Sequence, residues 1–108
     1  MKFWMYIRRY EILLPLAYND VSEIERDKFD QTHCELVDKL GADTTDTVHT
    51  TGRWIYEGTL YIDELLRIRL NVEDNEENRR FFEEYKEILK ERFNQIDIWI
   101  TAYTIEII

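Results

Sequence analysis

Two neighbouring carboxylates, Asp63 and Glu64, interrupt a strongly β-prone stretch and are the first candidates for chemistry. A carboxylate that enters a core or a cleft can act as a base or as an anchor for a ligand. Arg53 would then be its partner, and His49 could line the mouth of the same pocket. Two structural explanations compete: a β-bulge that leaves both charges in water, or a buried Glu64–Arg53 ion pair.

A second candidate is the pair His33-Cys34 on a predicted helix. Adjacent helical residues point about 100° apart, so the two side chains do not face each other. We therefore expect a core histidine beside a small buried hydrophobe. Because Cys34 is the single cysteine, no disulfide can form within the chain, which favours a reducing cytoplasm. One cysteine and two histidines cannot fill a four-ligand zinc shell without carboxylates, so no metal site and no cofactor are predicted.

The net charge of −9 over 108 residues sets limits on the partners. Nucleic-acid binding depends on neutralising phosphates with Lys and Arg, so this balance opposes DNA or RNA as a partner. It also disfavours an anionic membrane surface, whereas it suits a basic protein partner. The sequence contains neither a signal-peptide pattern nor a membrane span, and a cytoplasmic location is expected.

The predicted elements are organised around a β-hairpin, Arg53 to Val72, that turns at Glu57-Gly58. Glycine supplies the positive φ that a two-residue loop needs. Successive side chains alternate between the faces of a strand, so the hairpin has two predicted faces. One is apolar and expected to face the core: Ile55, Leu60, Ile62, Leu66, Ile68, Leu70 and Val72. The other mixes aromatic and charged residues: Trp54, Tyr56, Tyr61, Asp63, Leu65, Arg67 and Arg69.

A strand and a helix are predicted before the hairpin. The apolar segment 2–18 predicts a central strand, with Pro15 marking its end or an irregularity. Ser22 to Gly41 predicts a helix, with a capping box formed by Ser22 and Glu25 and a left-handed cap at Gly41. Its apolar stripe would comprise Phe29, His33, Leu36, Val37 and Leu40. The threonine-rich segment 43–51 is either a loop or an edge strand that extends the hairpin backwards.

A helix and a strand follow the hairpin. Asp74-Asn75 can cap the second helix. Its buried stripe would comprise Phe82, Tyr85, Ile88, Leu89 and Phe93, flanked by Phe81. Residues 96–108 alternate as a last strand, with Trp99 and Tyr103 on its polar face. The order β-α-β-β-α-β predicts a single ferredoxin-like α+β domain over residues 1–108, with both helices on one face of a four-stranded sheet.

This arrangement leaves one sheet face without helices, and the sequence places aromatic side chains there: Trp54, Tyr56, Tyr61, Trp99 and Tyr103. Large exposed aromatic patches usually mark interfaces, so we expect a homodimer through this face. Shielding by Arg67, Arg69 and segment 1–9 is the alternative. RNA-recognition modules also stack bases on a bare aromatic sheet, but the acidic charge argues against that interpretation.

Three segments, LLPLAYND, GRWIYEGTLYIDELLRI and NRRFFEEYKEILKERFNQIDIWI, together span most of the chain. Their pattern resembles a family of small uncharacterised prokaryotic proteins with LPLxYND, W-x(6)-YxDE and a closing IWI strand. The resemblance implies a single-domain cytoplasmic protein and adds no catalytic residues. This chain has Val21 where a glycine is expected after YND.

Two functional hypotheses follow from these patterns. The first is a non-enzymatic, homodimeric interaction or regulatory module that uses the aromatic sheet face. The alternative is a small dimeric α+β-barrel enzyme with a cleft near Glu64, Arg53 and His49.

Overall fold

A five-stranded antiparallel sheet carries two helices in this protein, whose computed structural model describes residues 6–46 and 49–108. The elements are β1 (Ile7–Pro15), α1 (Arg26–Leu40), β2 (Thr44–Thr45), β3 (Thr50–Tyr56), β4 (Thr59–Glu73), α2 (Glu76–Arg92) and β5 (Trp99–Ile105). The predicted ferredoxin-like α+β fold is confirmed, with the outer strand of the hairpin split into β2 and β3. Residues 1–5, of which 2–5 belong to the predicted first strand, lie outside the described residues, as do 47 and 48.

The long strand β4 connects the two parts of the sheet. Its second half pairs with β1 from Leu65 to Glu73, and β1 pairs in turn with β5. Its first half pairs with β3 alone, while β2 pairs with Ile68 and Arg69 farther along. Pro15 is the last residue of β1 and lies opposite Leu65, as expected for a residue that cannot donate to the ladder.

The core lies between the helices and one face of the sheet, as strand alternation requires. Its buried apolar residues are Tyr10, Ile12, Leu14, Ile24, Leu36, Ile68, Leu70, Val72, Phe82, Tyr85, Leu89, Phe93 and Ile98. Tyr10 of β1 stacks on Phe82 of α2 at 3.9 Å between ring centroids, which joins the second helix to the centre of the sheet.

The predicted hairpin turn and register are confirmed. Glu57 and Gly58 have φ of 50° and 78°, the positive values that a two-residue hairpin loop needs. The pairs on either side run from Tyr56 opposite Thr59 to Thr50 opposite Leu65.

One prediction for the hairpin was wrong. Ile55, Leu60 and Ile62 were expected in the core, but they are 72%, 57% and 59% exposed. Their face continues the core face of β4, yet they lie beyond the part of β4 that pairs with β1, and the buried core does not extend to them. We call this protruding part of the hairpin, residues 51–64, the arm.

Two of the three predicted helix caps are confirmed. Gly41 is left-handed at φ 91° and caps α1, and Asn75 accepts the amide of Asn78 at the start of α2. The predicted capping box at Ser22 was wrong, because α1 begins at Arg26. Ser22 instead donates its backbone N–H to the Asp20 side chain at 3.0 Å, closing a local turn.

The predicted buried stripes of the two helices were also partly wrong. Val37 and Ile88 are 45% and 48% exposed, and Cys34 is exposed rather than buried. Thr32 takes the buried position on α1, where its hydroxyl donates to the carbonyl of Lys28 at 2.8 Å. His33 is half-buried, with its Nδ1 2.7 Å from Asp43 Oδ2, so it links α1 to the segment that leads into β2.

The two helices are joined by a cluster of charged and hydroxyl groups. The Arg92 guanidinium lies 2.8 Å from a Glu35 carboxylate oxygen and donates to the Thr32 hydroxyl, also at 2.8 Å. The Tyr85 hydroxyl donates to Glu35 at 2.8 Å. Only 10% of the Arg92 side chain is exposed, so this cluster replaces water around the guanidinium with protein oxygens.

The cluster shifts the pKa of two of its members. Burial raises the pKa of Glu35, but hydrogen bonds from Tyr85 and Arg92 and the Arg92 charge outweigh burial, so that the pKa is lowered overall. Burial, and then the Glu35 carboxylate, raise the pKa of the Tyr85 hydroxyl. Glu35 is therefore ionised and Tyr85 neutral at neutral pH.

A strained turn gives the first testable prediction. Val21 has φ of 64°, a conformation that is costly for a β-branched residue, and its side chain is 86% exposed. Val21→Gly should therefore stabilise the fold by about 0.5–1 kcal/mol, the strain relief being partly offset by the greater freedom of the unfolded chain. Thermal unfolding should show a rise in Tm of a few degrees. Val21→Ala is the control, with a smaller gain expected; a lower Tm for the glycine variant would contradict the argument.

Candidate functional site

The arm makes the molecule elongated. Leu65 of β4 pairs with Pro15 of β1 on one side and with Thr50 of β3 on the other. From Leu65 towards the turn, β1 no longer pairs with β4, and β3 and β4 continue as a two-stranded ribbon. The molecule measures 55 × 29 × 26 Å along its principal axes. A two-stranded hairpin is marginally stable alone in water, and here β4 joins the arm to the rest of the sheet.

The helix-free face of the sheet divides into a charged part and an apolar part. In the charged part, Arg69 lies between Glu11, 3.7 Å away, and Asp46, which it also contacts directly. Arg67 lies 3.8 Å from Asp46, and Tyr103 donates its hydroxyl to Glu11 at 3.2 Å. The two arginines thus lie over the middle of this face and leave the end near the arm apolar. The shielding alternative also had segment 1–9 folding over the face, but residues 7–9 belong to β1 and residues 1–5 lie outside the described residues.

At that apolar end, a groove of about 240 Å³ lies where the arm leaves the sheet. The helix-free face supplies Leu13, Pro15 and Leu65 to its lining. Trp54 lines it from the arm and Trp99 from β5. The remaining lining residues are Thr50, Gly52, Arg53, Asp63, Gln95 and Asp97.

Hydrogen bonding and stacking hold Trp54 in place. Its indole N–H donates to the Asp63 carboxylate at 2.8 Å. Its ring stacks on Tyr61, directly opposite on β4, with centroids 4.8 Å apart. Asp63 and Tyr61 therefore hold the Trp54 ring in position as one wall of the groove.

Gly52 fits closely against the groove lining. A Cβ at this position would lie 2.9 Å from Leu65 Cδ1, closer than carbon atoms pack. The absence of a side chain at Gly52 therefore lets Leu65 occupy the junction between arm and sheet.

The structure separates the four residues that the sequence put forward for chemistry. Asp63 and Arg53 line the groove, while Glu64 and His49 are exposed and outside its lining. Glu64 points to the face opposite Asp63 and accepts the Thr51 hydroxyl at 2.7 Å. Continuous β4 pairing through both carboxylates shows regular strand rather than a bulge.

The aromatic residues proposed for an interface all belong to one face, but they differ in exposure. Trp99, Tyr103 and Tyr56 are 65%, 44% and 39% exposed. Trp54 and Tyr61 are half-buried through their mutual stacking. Tyr103 belongs to the charged part of the face, and the others surround or extend the groove.

Sequence reasoning missed Leu13, Pro15, Gln95 and Asp97 as groove residues. The first two could have been found, because alternation along β1 places them opposite the buried Ile12 and Leu14. Gln95 and Asp97 lie between α2 and β5. The predicted last strand began at residue 96 and grouped Asp97 with Trp99, but β5 begins at Trp99.

The described residues form neither a metal-ligand cluster nor a membrane-spanning helix. Among residues 6–46 and 49–108, no group of three or more His, Cys, Asp or Glu side chains is arranged to hold a metal ion. No helix in the described part of the chain combines the length and the apolar character that spanning a membrane would require.

Comparison with known proteins identifies the fold. No protein-family model matches the sequence, and no curated protein matches it. Among solved structures, a phage SAM lyase in complex with S-methyl-5'-thioadenosine is similar, with a TM-score of 0.68 at 13% identity over 99% of this chain and 95% of that one. The divalent cation tolerance protein CutA1 of Thermus thermophilus has a TM-score of 0.62 at 14% identity, over 94% and 85%. A GlnK–ATP complex of B. subtilis has 0.58 at 19%, over 96% and 85%. These TM-scores establish a shared fold, and at identities this low the similarity extends to the fold alone.

Proposed function

We propose that this chain is an interaction module that assembles with copies of itself through the arm and the helix-free face. The observation that carries the proposal is the exposure of both arm faces. Ile55, Leu60 and Ile62 are more than half exposed on one face, and Tyr56 is 39% exposed on the other. Contiguous apolar surface of this kind usually marks an interface.

The distribution of these residues distinguishes two modes of assembly. A dimer in which two helix-free faces meet would cover Trp54 and Tyr56 but would leave Ile55, Leu60 and Ile62 in water. A ring in which each arm inserts between its neighbours would cover both arm faces. Repeated head-to-tail contacts close into rings when the rotation between copies permits it. The two-sided arm therefore favours a cyclic homo-oligomer over the homodimer expected from the helix-free face alone.

Charge makes the assembly sensitive to salt. Each copy carries a net charge of −9, so like-charge repulsion opposes association. Salt screens exposed charges over about 10 Å at 0.1 M, so added salt should strengthen the assembly. The same charge would suit the assembled module to a basic protein partner.

The catalytic alternative centred on Glu64, Arg53 and His49 has less support. Glu64 is exposed and hydrogen-bonded to Thr51, and only Arg53 of the three lines the groove. A functional base needs reach to a shared substrate position, which these three residues do not offer together.

The assembly is tested by measuring the mass of the purified chain with multi-angle light scattering and sedimentation velocity across protein and salt concentrations. We expect a multiple of the 13.3 kDa chain, with three or more copies indicating a ring and two a face-to-face dimer. A single-chain mass at every protein and salt concentration would contradict self-assembly.

A further inference from the structure

The groove at the base of the arm has the chemistry of a small-molecule site, independently of assembly. Its cavity of about 240 Å³ lies just below the size range of ligand pockets, so it suits a small ligand or one end of a larger one. Apolar side chains form much of its lining, and two indole rings border it. Such rings attract flat apolar groups and cations.

The charge of the groove lining determines whether a flat apolar group or a cation is the better ligand. Asp63 lines the groove and accepts the Trp54 indole N–H. Within residues 6–46 and 49–108, no lysine, arginine or histidine lies within ion-pairing distance of it. Its negative charge is therefore uncompensated beside an indole ring.

Two other charged residues border the groove. Asp97 pairs with Lys86 at 3.0 Å, which offsets its charge. Arg53 is exposed, and strand alternation directs its side chain to the arm face opposite Trp54. Asp63 is therefore the carboxylate that determines the charge preference.

From this arrangement we propose that the groove binds a small organic cation, held against Trp54 and Trp99 and balanced by the Asp63 carboxylate. An alkylated ammonium group fits because it is apolar enough to leave water and still carries charge. The chain's net charge of −9 raises the local concentration of any such cation.

The test uses two probes of nearly the same shape. Choline carries the charge, and 3,3-dimethyl-1-butanol replaces its nitrogen by carbon. Titrations follow the indole N–H signals of Trp54 and Trp99 by NMR, assigned with Trp54→Phe and Trp99→Phe. We expect choline to shift both signals saturably and the neutral alcohol to bind at least about tenfold more weakly, as a cation–π contact predicts.

Two variants and a control locate the site. Asp63→Asn keeps an oxygen for the Trp54 N–H and removes only the charge, so it should weaken choline about tenfold and leave the alcohol unchanged. Trp99→Leu, at a largely exposed position, should also weaken choline. Tyr103→Ala changes an exposed aromatic on the same strand outside the groove lining, and should have no effect.

Three results would overturn the proposal: equal binding of both probes, no saturable shift, or unchanged choline binding by Asp63→Asn. Ile62→Glu separates this test from that of assembly, because Ile62 lies on the arm face away from the groove. A monomeric Ile62→Glu chain that still binds choline supports a site built by one chain. Loss of binding on dissociation would refute that claim.

Discussion

Ile62→Glu is expected to convert the proposed assembly into single chains of 13.3 kDa. Ile62 is 59% exposed in the chain alone, so the glutamate side chain remains in water and folding is preserved. In the assembly, the carboxylate would be forced into an apolar contact between copies. A central apolar residue of an interface contributes about 2–4 kcal/mol, so association should weaken roughly 30- to 700-fold.

The matched control is Ile88→Glu, the same substitution at a 48% exposed position on α2. It should leave the mass measured by light scattering unchanged. Both variants should keep the wild-type circular dichroism spectrum. Dissociation by both variants would indicate a general charge effect, and an unchanged mass for Ile62→Glu would remove the arm from the interface.

Arg92→Met is expected to lower the free energy of unfolding by about 2 kcal/mol. Methionine preserves much of the aliphatic stem but removes the charged bonds to Glu35 and Thr32. The loss of stability is smaller than for a fully buried ion pair, because 39% of the Glu35 side chain is exposed and water can solvate its carboxylate once Arg92 is removed. Thermal unfolding should show Tm lowered by roughly 10 °C.

The same cluster predicts a pH dependence. Because the folded pKa of Glu35 is lowered, its carboxylate stabilises the fold above the unfolded pKa of about 4.3. This stabilisation is lost as pH falls through the folded pKa. The stability difference between wild type and Glu35→Gln should therefore be largest near neutral pH and shrink below about pH 4. A constant difference across this range would exclude Glu35 as the titrating group. For the stability loss of Arg92→Met, the control is Arg79→Met, which removes an exposed ion pair with Glu83 at 4.0 Å and should change the free energy of unfolding much less.

Local patterns predicted the hairpin more reliably than its surroundings. Gly58 and the flanking alternation were sufficient for the turn and for every pair from Tyr56–Thr59 to Arg53–Ile62. Alternation assigns a side chain to a face, but it does not report whether another element covers that face. This is why Ile55 and Ile62 were placed in the core.

Element lengths contained the missing information. The helices of 15 and 17 residues span about 22–26 Å at 1.5 Å per residue. The 15 residues of β4 span about 50 Å at 3.3 Å per residue. Helices of that length cannot cover the whole strand, so one end had to project. The predicted start of α1 was wrong for a different reason, because Ser22 bonds to Asp20 within its own turn rather than to the helix.

The groove could be only partly predicted. Trp54, Trp99 and Asp63 were recognised because they stand out on otherwise regular strands. Their meeting with Asp97 and Pro15 depends on how β1, the arm and the segment before β5 converge in three dimensions, which no local spacing encodes.

The unbroken run of β4 gives the molecule a mechanical property. This strand contains neither glycine nor proline, and its ladder pairs continuously from Thr59 beside the turn to Glu73, two residues before the cap of α2 at Asn75. The arm therefore leaves the sheet on a strand that contains no residue favouring a bend. We expect a force on the tip of the arm to reach the sheet through the β4 ladder rather than to bend the arm at its base.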